Sequence, residues 1–107
     1  MTDLPVACTL TADALACGAA ELLPGLAAEA RTVSVVLNGA RLEFAGERGT
    51  VARLAAVIER ERECCQFLRF HLEVSPGLGA IVLTVDGPPG TGSFLAGLHP
   101  AFASAAG

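Results

Sequence analysis

The chain has 107 residues, of which 52% are hydrophobic and 17% charged, so it predicts one domain with a sizeable core and excludes a disordered segment. Its net charge is −4 and its seven basic residues are scattered arginines, which excludes a nucleic-acid-binding patch and, without lysine, a Walker-type phosphate lysine or a Schiff base. No apolar run is long enough to span a membrane and the N-terminal segment lacks the basic flank of a secretory signal, so we expect a soluble cytosolic protein with no membrane or nucleic-acid partner.

The N-terminal segment predicts one helix preceded by extended chain. Residues Val6–Leu10 are expected to form a short strand or an extended lead-in. Thr11 is a suitable N-cap, and leucines and alanines recur at helical spacing over residues 12–29. Pro24 lies inside this stretch, so the helix can be kinked or broken there.

A β-hairpin and a long helix follow. The segments Thr32–Leu37 and Arg41–Ala45 flank Asn38-Gly39, a dipeptide that readily adopts the two positive φ angles of a type I′ turn. Gly49-Thr50 then opens a helix predicted over residues 51–68. The apolar stripe along this helix consists of Val51, Leu54, Ile58, Cys65 and Leu68.

A second hairpin is predicted after this helix. Apolar and polar residues alternate from Phe70 to Val74, the turn residues Ser75–Gly79 follow, and Ala80–Val85 is a mostly apolar strand. Alternation places the polar side chains of both hairpins on one face of the sheet. The residues expected on this polar face are Arg41, Glu43, His71 and Glu73.

One more helix ends the predicted fold. Residues 86–90, Asp-Gly-Pro-Pro-Gly, interrupt the strand pattern, and either Thr91 or Ser93 can cap a short helix that ends at Leu98. Residues 99–107 are expected to be a frayed tail of the single domain.

The order of these elements, α-β-β-α-β-β-α, predicts an α+β domain. Two hairpins would form a mostly antiparallel four-stranded sheet with helices packed on one face. Whether residues 6–10 add a fifth strand stays open. The opposite face is only moderately polar, so it can be solvated or form a dimer.

Four cysteines are the unusual feature of the composition. In a reducing cytosol, cysteines are more often metal-binding, catalytic or simply buried than disulfide-bonded. Cys64 and Cys65 are expected in the last turn of the second helix, with Cys65 facing the core and Cys64 facing sideways. A soft cation such as Hg(II), Cu(I), As(III) or Zn(II) needs several thiolates. Docking of the first helix on this helix end would add Cys8 and Cys17, which predicts a soft-metal site.

Two other interpretations of the cysteines stay open. A redox or nucleophilic cysteine reacts as the thiolate, and the carboxyl end of a helix carries partial negative charge that disfavours a thiolate. Arg60, with Arg62 and Arg69 nearby, can oppose this effect. Core filler is the other interpretation, and it is the stronger one for Cys8 and for Cys17 taken alone.

Other candidate groups carry weaker signals. Glu59, Glu61 and Glu63 alternate with arginines and predict an exposed charged helix face. Glu61 nevertheless lies within one turn of both vicinal cysteines, so it is an optional metal ligand, as is the nearby His71. A solvated histidine on the polar strand face is the stronger interpretation of His71, and His99 belongs to the tail.

Three segments resemble one family of proteins. They are residues 63–70, Glu-Cys-Cys-Gln-Phe-Leu-Arg-Phe, residues 87–91, Gly-Pro-Pro-Gly-Thr, and residues 7–11, Ala-Cys-Thr-Leu-Thr. Small, largely uncharacterised bacterial proteins share this Glu-Cys-Cys-x-Phe-Leu helix end, and the resemblance implies a role in mercury or other heavy-metal resistance. Cys17 falls where the family has a cysteine with neighbouring arginines, but Gly18-Ala19-Ala20 supply no basic residue here. The matching cysteines are Cys8, Cys64 and Cys65.

The sequence therefore supports three functional hypotheses. The first is a protein that binds a thiophilic metal through Cys64 and Cys65, with help from Cys8 and Cys17, for sequestration, delivery or sensing. The second is a thiol–disulfide redox protein or accessory enzyme. The third is a dimeric interaction module with structural cysteines. We predict no catalytic residue, and we expect the ligand to be a metal ion. The other partner that the sequence allows is a second copy of the chain, in a homodimer, or another protein.

Overall fold

Helices and strand pairs alternate along the part of the chain that the computed structural model describes, which is residues 20–104 without the side chains at positions 20–22, 64 and 104. The α+β class and the order of elements are as predicted, with one short helix added at the end. In chain order the elements are α1 (Ala20–Glu29), β1 (Thr32–Val36), β2 (Gly39–Phe44), α2 (Thr50–Cys64), β3 (Arg69–Val74), β4 (Ile81–Asp86), α3 (Thr91–Leu98) and α4 (Ala101–Ser104).

Helix α1 covers the second part of the first predicted helix. It continues through Pro24, so the predicted break does not occur there. The predictions for Val6–Leu10, for the Thr11 cap and for residues 12–19 lie outside the described residues. None of the helices within residues 20–104 has the length and apolar character needed to cross a membrane.

The four strands form one antiparallel sheet in the order β1-β2-β4-β3. Each hairpin pairs its own two strands, and the hairpins join through β2 and β4, which pair from Gly39 with Asp86 to Phe44 with Ile81. The predicted four-stranded antiparallel sheet is therefore confirmed. Among the described strands, β1 and β3 are the outer two.

The two faces of the sheet differ because successive side chains of a strand point to opposite faces. The helix-covered face of the central strands buries Ala40, Leu42, Phe44, Ile81, Leu83 and Val85. Helix residues that complete this core include Leu23, Leu26, Leu54, Leu95 and Phe102. The other face carries two rows of paired residues, Arg41–Thr84–His71 and Glu43–Val82–Glu73, which confirms the predicted polar face.

The turn of the first hairpin differs from the prediction by one residue. Val36 pairs with Gly39, so the two turn residues are Leu37 and Asn38, and only Asn38 has a positive φ, of 55°. Gly39 is instead the first residue of β2. A Cβ atom there would overlap the carbonyl oxygen of Val85 on the neighbouring strand. This glycine therefore allows close strand approach and does not serve a type I′ turn.

Helix α2 is shorter than the predicted helix over residues 51–68. Gly49 precedes it as the N-cap with a φ of 87°, as the glycine signal predicts. At the other end Cys65 leaves the helical region with φ −124° and ψ 80°, and the Leu68 N–H donates to the Cys65 carbonyl oxygen at 3.1 Å. This turn ends the helix and leads into β3.

The C-terminal helices correct two predictions. Gly90, with a φ of 102°, is the N-cap of α3, whereas the buried Thr91 donates its hydroxyl to the Pro88 carbonyl oxygen at 2.7 Å. Residues 101–104 form α4 inside the stretch predicted to be frayed, and Phe102 is buried in the core with 3% of its surface exposed. Packing of this aromatic side chain orders a helix that is too short to be stable on its own. Residues 105–107 lie outside the described residues.

Candidate thiol site at the end of helix α2

Cys65 lies at the junction of α2 and β3, and it is the cysteine whose side chain the structure describes. Its side chain is 0% exposed, which confirms that it faces the core. Its backbone N–H donates to the Glu61 carbonyl oxygen at 2.7 Å, so the last helical turn closes on Cys65. Cys64 is the last residue of α2, and its side chain, like all of Cys8 and Cys17, lies outside what the structure describes.

The sulfur of Cys65 is bonded in a disulfide. Cys65 is the one cysteine whose side chain lies in the described part of the chain. This state differs from the expectation that the cysteines of this chain are free thiols or metal ligands. The convergence of Cys8, Cys17, Cys64 and Cys65 on one metal stays a prediction.

Glu61 corrects the prediction of an exposed charged face on α2. Its side chain is 0% exposed, whereas Glu59 and Glu63 on the same helix are exposed as predicted. The reason is helical spacing, because Glu61 follows Leu54 by seven residues and precedes Cys65 by four. Both of those residues are fully buried. Glu61 therefore occupies the one position of the core-facing stripe that a charged residue fills.

Among the residues that the structure describes, the carboxyl group of Glu61 has no hydrogen-bond partner to replace the water that it loses on burial. Neither Oε1 nor Oε2 is hydrogen-bonded, and both are buried. Burial raises the pKa of this carboxyl from 4.5 to about 7, against a smaller lowering by the positive charge of Arg60. Glu61 can therefore hold or release a proton near neutral pH, which an exposed glutamate does not do.

The surroundings of Cys65 disfavour a thiolate at this sulfur. The carboxyl end of α2 presents partial negative charge, and burial penalises any charged form. Two of the arginines expected to oppose this effect are engaged by carboxylates. Arg62 Nη1 lies 3.0 Å from Glu59 Oε1, and Arg69 Nε lies 2.8 Å from Asp86 Oδ1. The Cys65 sulfur is therefore better suited to a disulfide bond or to the neutral thiol form than to a stable thiolate.

Neither histidine joins this site. His71 is exposed on the polar face of the sheet, opposite the core that contains Cys65, and its Nε2 lies 3.8 Å from Asp86 Oδ2. His99 Nδ1 accepts the Ala101 N–H at 3.0 Å, and its ring packs edge-on to Phe102 with centroids 6.2 Å apart. Within residues 20–104, no three metal-ligating side chains come together. The described residues therefore do not bring His71 to Cys65, and its role as an optional ligand stays a prediction.

An open cleft of about 200 Å³ lies at the other end of α2. Three apolar side chains on its wall are exposed, those of Val51, Val74 and Leu78. Fourteen residues separate Val51 from Cys65, which corresponds to about 20 Å along a helix at about 1.5 Å per residue. This cleft is separate from the thiol site.

Comparison of the chain with protein-family models, with curated proteins and with solved structures finds no match. The buried carboxyl of Glu61 is the functional group that the sequence analysis placed wrongly. Its signal was available in the sequence, since the stripe through Leu54, Ile58 and Cys65 requires a core residue at position 61.

Proposed function

We propose that this protein carries out thiol–disulfide exchange through Cys65. The observation that supports this function best is a disulfide-bonded cysteine, fully buried, one helical turn after a buried carboxyl with no hydrogen-bond partner. A purely structural disulfide needs no ionisable group beside it. The cost of burying Glu61 is therefore better explained by a reaction that moves a proton.

Exchange would begin at the second sulfur of the disulfide. A thiolate from a substrate or reductant attacks that sulfur, because Cys65 itself offers no exposed surface for a bulky nucleophile. A mixed disulfide forms and Cys65 leaves with the electron pair of the broken S–S bond. A second substrate thiolate then resolves the mixed disulfide. The protein gains two electrons and two protons, and two substrate thiols become one substrate disulfide.

The test is a redox titration of the folded, full-length protein in glutathione buffers of graded composition. Samples are quenched with acid, the free thiols are alkylated, and the label on Cys65 is located by mass spectrometry. We expect Cys65 to pass reversibly from unlabelled to labelled, with the same midpoint from the oxidised and the reduced side. A Cys65 thiol that is labelled in every buffer, or a disulfide that forms and breaks only in denaturant, would overturn the proposal.

Soft-metal binding by the reduced protein is the second candidate. The bond at Cys65 brings a second sulfur within bonding distance, and a linear or trigonal soft cation needs such a pair of thiolates. On this hypothesis Cys64 and Cys65 bind Hg(II), Cu(I), As(III) or Zn(II) with help from Cys8 and Cys17.

Native mass spectrometry separates the two candidates. The reduced protein is given one equivalent of each metal with glutathione as competitor, and the Cys64→Ser/Cys65→Ser double variant is the control. One ion retained by the parent protein and lost by the variant supports metal binding. Full retention by the variant, or no retention by either, removes this candidate and leaves the redox titration to decide the first.

A further inference from the structure

Glu61 and Cys65 are both fully buried, Glu61 on α2 and Cys65 directly after the last residue of this helix. The hydrogen bond from the Cys65 N–H to the Glu61 carbonyl oxygen, at 2.7 Å, shows that the backbone between them is α-helical. Because the backbone is helical up to the Cys65 nitrogen, the Cα atoms of Glu61 and Cys65 are about 6 Å apart. A glutamate and a cysteine can span that separation directly or through one water molecule.

Within the described residues, the surroundings of Glu61 offer its carboxyl no hydrogen-bond partner. Both of its oxygens are buried without a hydrogen bond. The side of the sheet that faces the helices carries no charged residue within residues 20–104. Arg60 is the charged neighbour that acts on Glu61, while Glu29 of α1 is exposed and paired with Arg53 at 2.8 Å.

We propose that Glu61 is the general acid and general base that serves the Cys65 sulfur during thiol–disulfide exchange. This inference rests on the proposed function and adds to it the group that moves the proton. A buried carboxyl without a partner is costly. Because Cys65 is equally buried and lies at the negative end of a helix, its sulfur is the atom of the site that most needs a proton when the disulfide opens.

Each step balances with a thiol as the reductant. The thiolate of the reductant bonds to the second sulfur and the S–S bond breaks, with its electron pair going to Cys65. The neutral carboxyl of Glu61 gives its proton to this sulfur, which leaves Cys65 as a thiol and Glu61 as a carboxylate. In the reverse direction the carboxylate removes the thiol proton, and the Cys65 sulfur attacks the mixed disulfide and expels the reductant thiolate. Solvent restores the proton on Glu61 between cycles.

The test is the rate at which dithiothreitol opens the Cys65 disulfide between pH 5.5 and 8.5. Rates are divided by the thiolate concentration of the reductant, so that its own ionisation cancels. For the parent protein we expect a constant value at low pH that falls about tenfold per pH unit above pH 7, as the neutral form of Glu61 disappears. Glu61→Gln should react about 100-fold more slowly at pH 6, within the range typical of general acid catalysis, and without this pH dependence.

Glu63→Gln is the matched control, because Glu63 is exposed two residues further along the same helix. It should keep the rate and the pH profile of the parent. Equal rates and profiles for the parent and Glu61→Gln would overturn the role of Glu61 while leaving exchange itself intact. A disulfide that opens in none of the three proteins would instead overturn the proposed function.

A second readout covers the case in which Glu61→Gln does not fold. The infrared difference spectrum between the oxidised and reduced parent protein should contain the carbonyl stretch of a buried carboxylic acid, because a new thiol beside Glu61 changes its environment. A spectrum without such a band at pH 6, together with a thiolate-corrected rate that is constant across the pH range, would refute the inference without any variant.

Discussion

Replacing Glu61 with leucine should stabilise the oxidised protein, and the gain should grow with pH. Glu61 is fully buried and neither carboxylate oxygen has a hydrogen bond. Its pKa rises from 4.5 to about 7 in the folded state. Between these values the unfolded chain loses the proton while the folded protein keeps it, so the free energy of unfolding falls as pH rises through this window.

The magnitude follows from the size of this pKa change. A tenfold change in acidity is worth about 1.4 kcal/mol, so ionisable Glu61 costs the folded state about 3 kcal/mol at pH 8 relative to pH 4.5. Leucine is apolar, is larger by about one methylene group and cannot ionise. The stability difference between Glu61→Leu and the parent should therefore increase by about 3 kcal/mol in favour of the variant between these two pH values.

Urea unfolding of the oxidised proteins, followed by far-ultraviolet circular dichroism at pH 4.5 and pH 8, measures this difference. Comparing variant with parent at each pH cancels the titration of all other groups. Glu63→Leu is the control, since it makes the same substitution at an exposed position of the same helix. A Glu61→Leu effect that does not change with pH would refute the burial argument.

The other predictions concern stability and use the same urea assay. Gly39→Ala should lower the free energy of unfolding by about 1–3 kcal/mol, because the added Cβ would overlap the Val85 carbonyl oxygen. Gly25→Ala in α1 should raise the free energy of unfolding by about 0.5–1 kcal/mol, because the added Cβ would meet no described atom of another segment within 4 Å. Equal effects of the two changes would contradict the assigned strand contact. Phe102→Ala should cost about 3–5 kcal/mol, because this residue of α4 is part of the core. A cost below about 1 kcal/mol would mean that the last helix does not belong to the folded domain.

Much of the fold was predictable because the hydrophobic periods are clear. Alternation in β2, β3 and β4 gave the strands and the polar face, and glycine marked the start of α2. The predictions that were wrong concern features that depend on contacts between distant segments of the chain. Asn38-Gly39 is a good turn signal, yet the register is set by the close approach of Gly39 to β4, which local sequence does not encode. Phe102 likewise orders α4 only through the core it enters.

The candidate site was predictable in part. The inward orientation of Cys65 followed from its place on the apolar stripe, and the structure confirms it. The burial of Glu61 was missed because charge alternation outweighed helical spacing in the interpretation of Glu59, Glu61 and Glu63. The disulfide state was not predictable either. Sequence patterns do not specify which sulfurs meet, and the expectation of reduced thiols came from the compartment and not from geometry.

The backbone hydrogen bonds on both sides of Cys65 determine how much of its loop would have to move in the proposed thiol–disulfide exchange. Its N–H is held by Glu61 and its carbonyl oxygen by Leu68, and neither bond involves the sulfur. Phe67, in the same short loop, is anchored edge-on against Phe94 with ring centroids 5.0 Å apart. In the proposed exchange, conversion of Cys65 between half-cystine and thiol would therefore be a change of bonding at a residue whose backbone is already held on both sides.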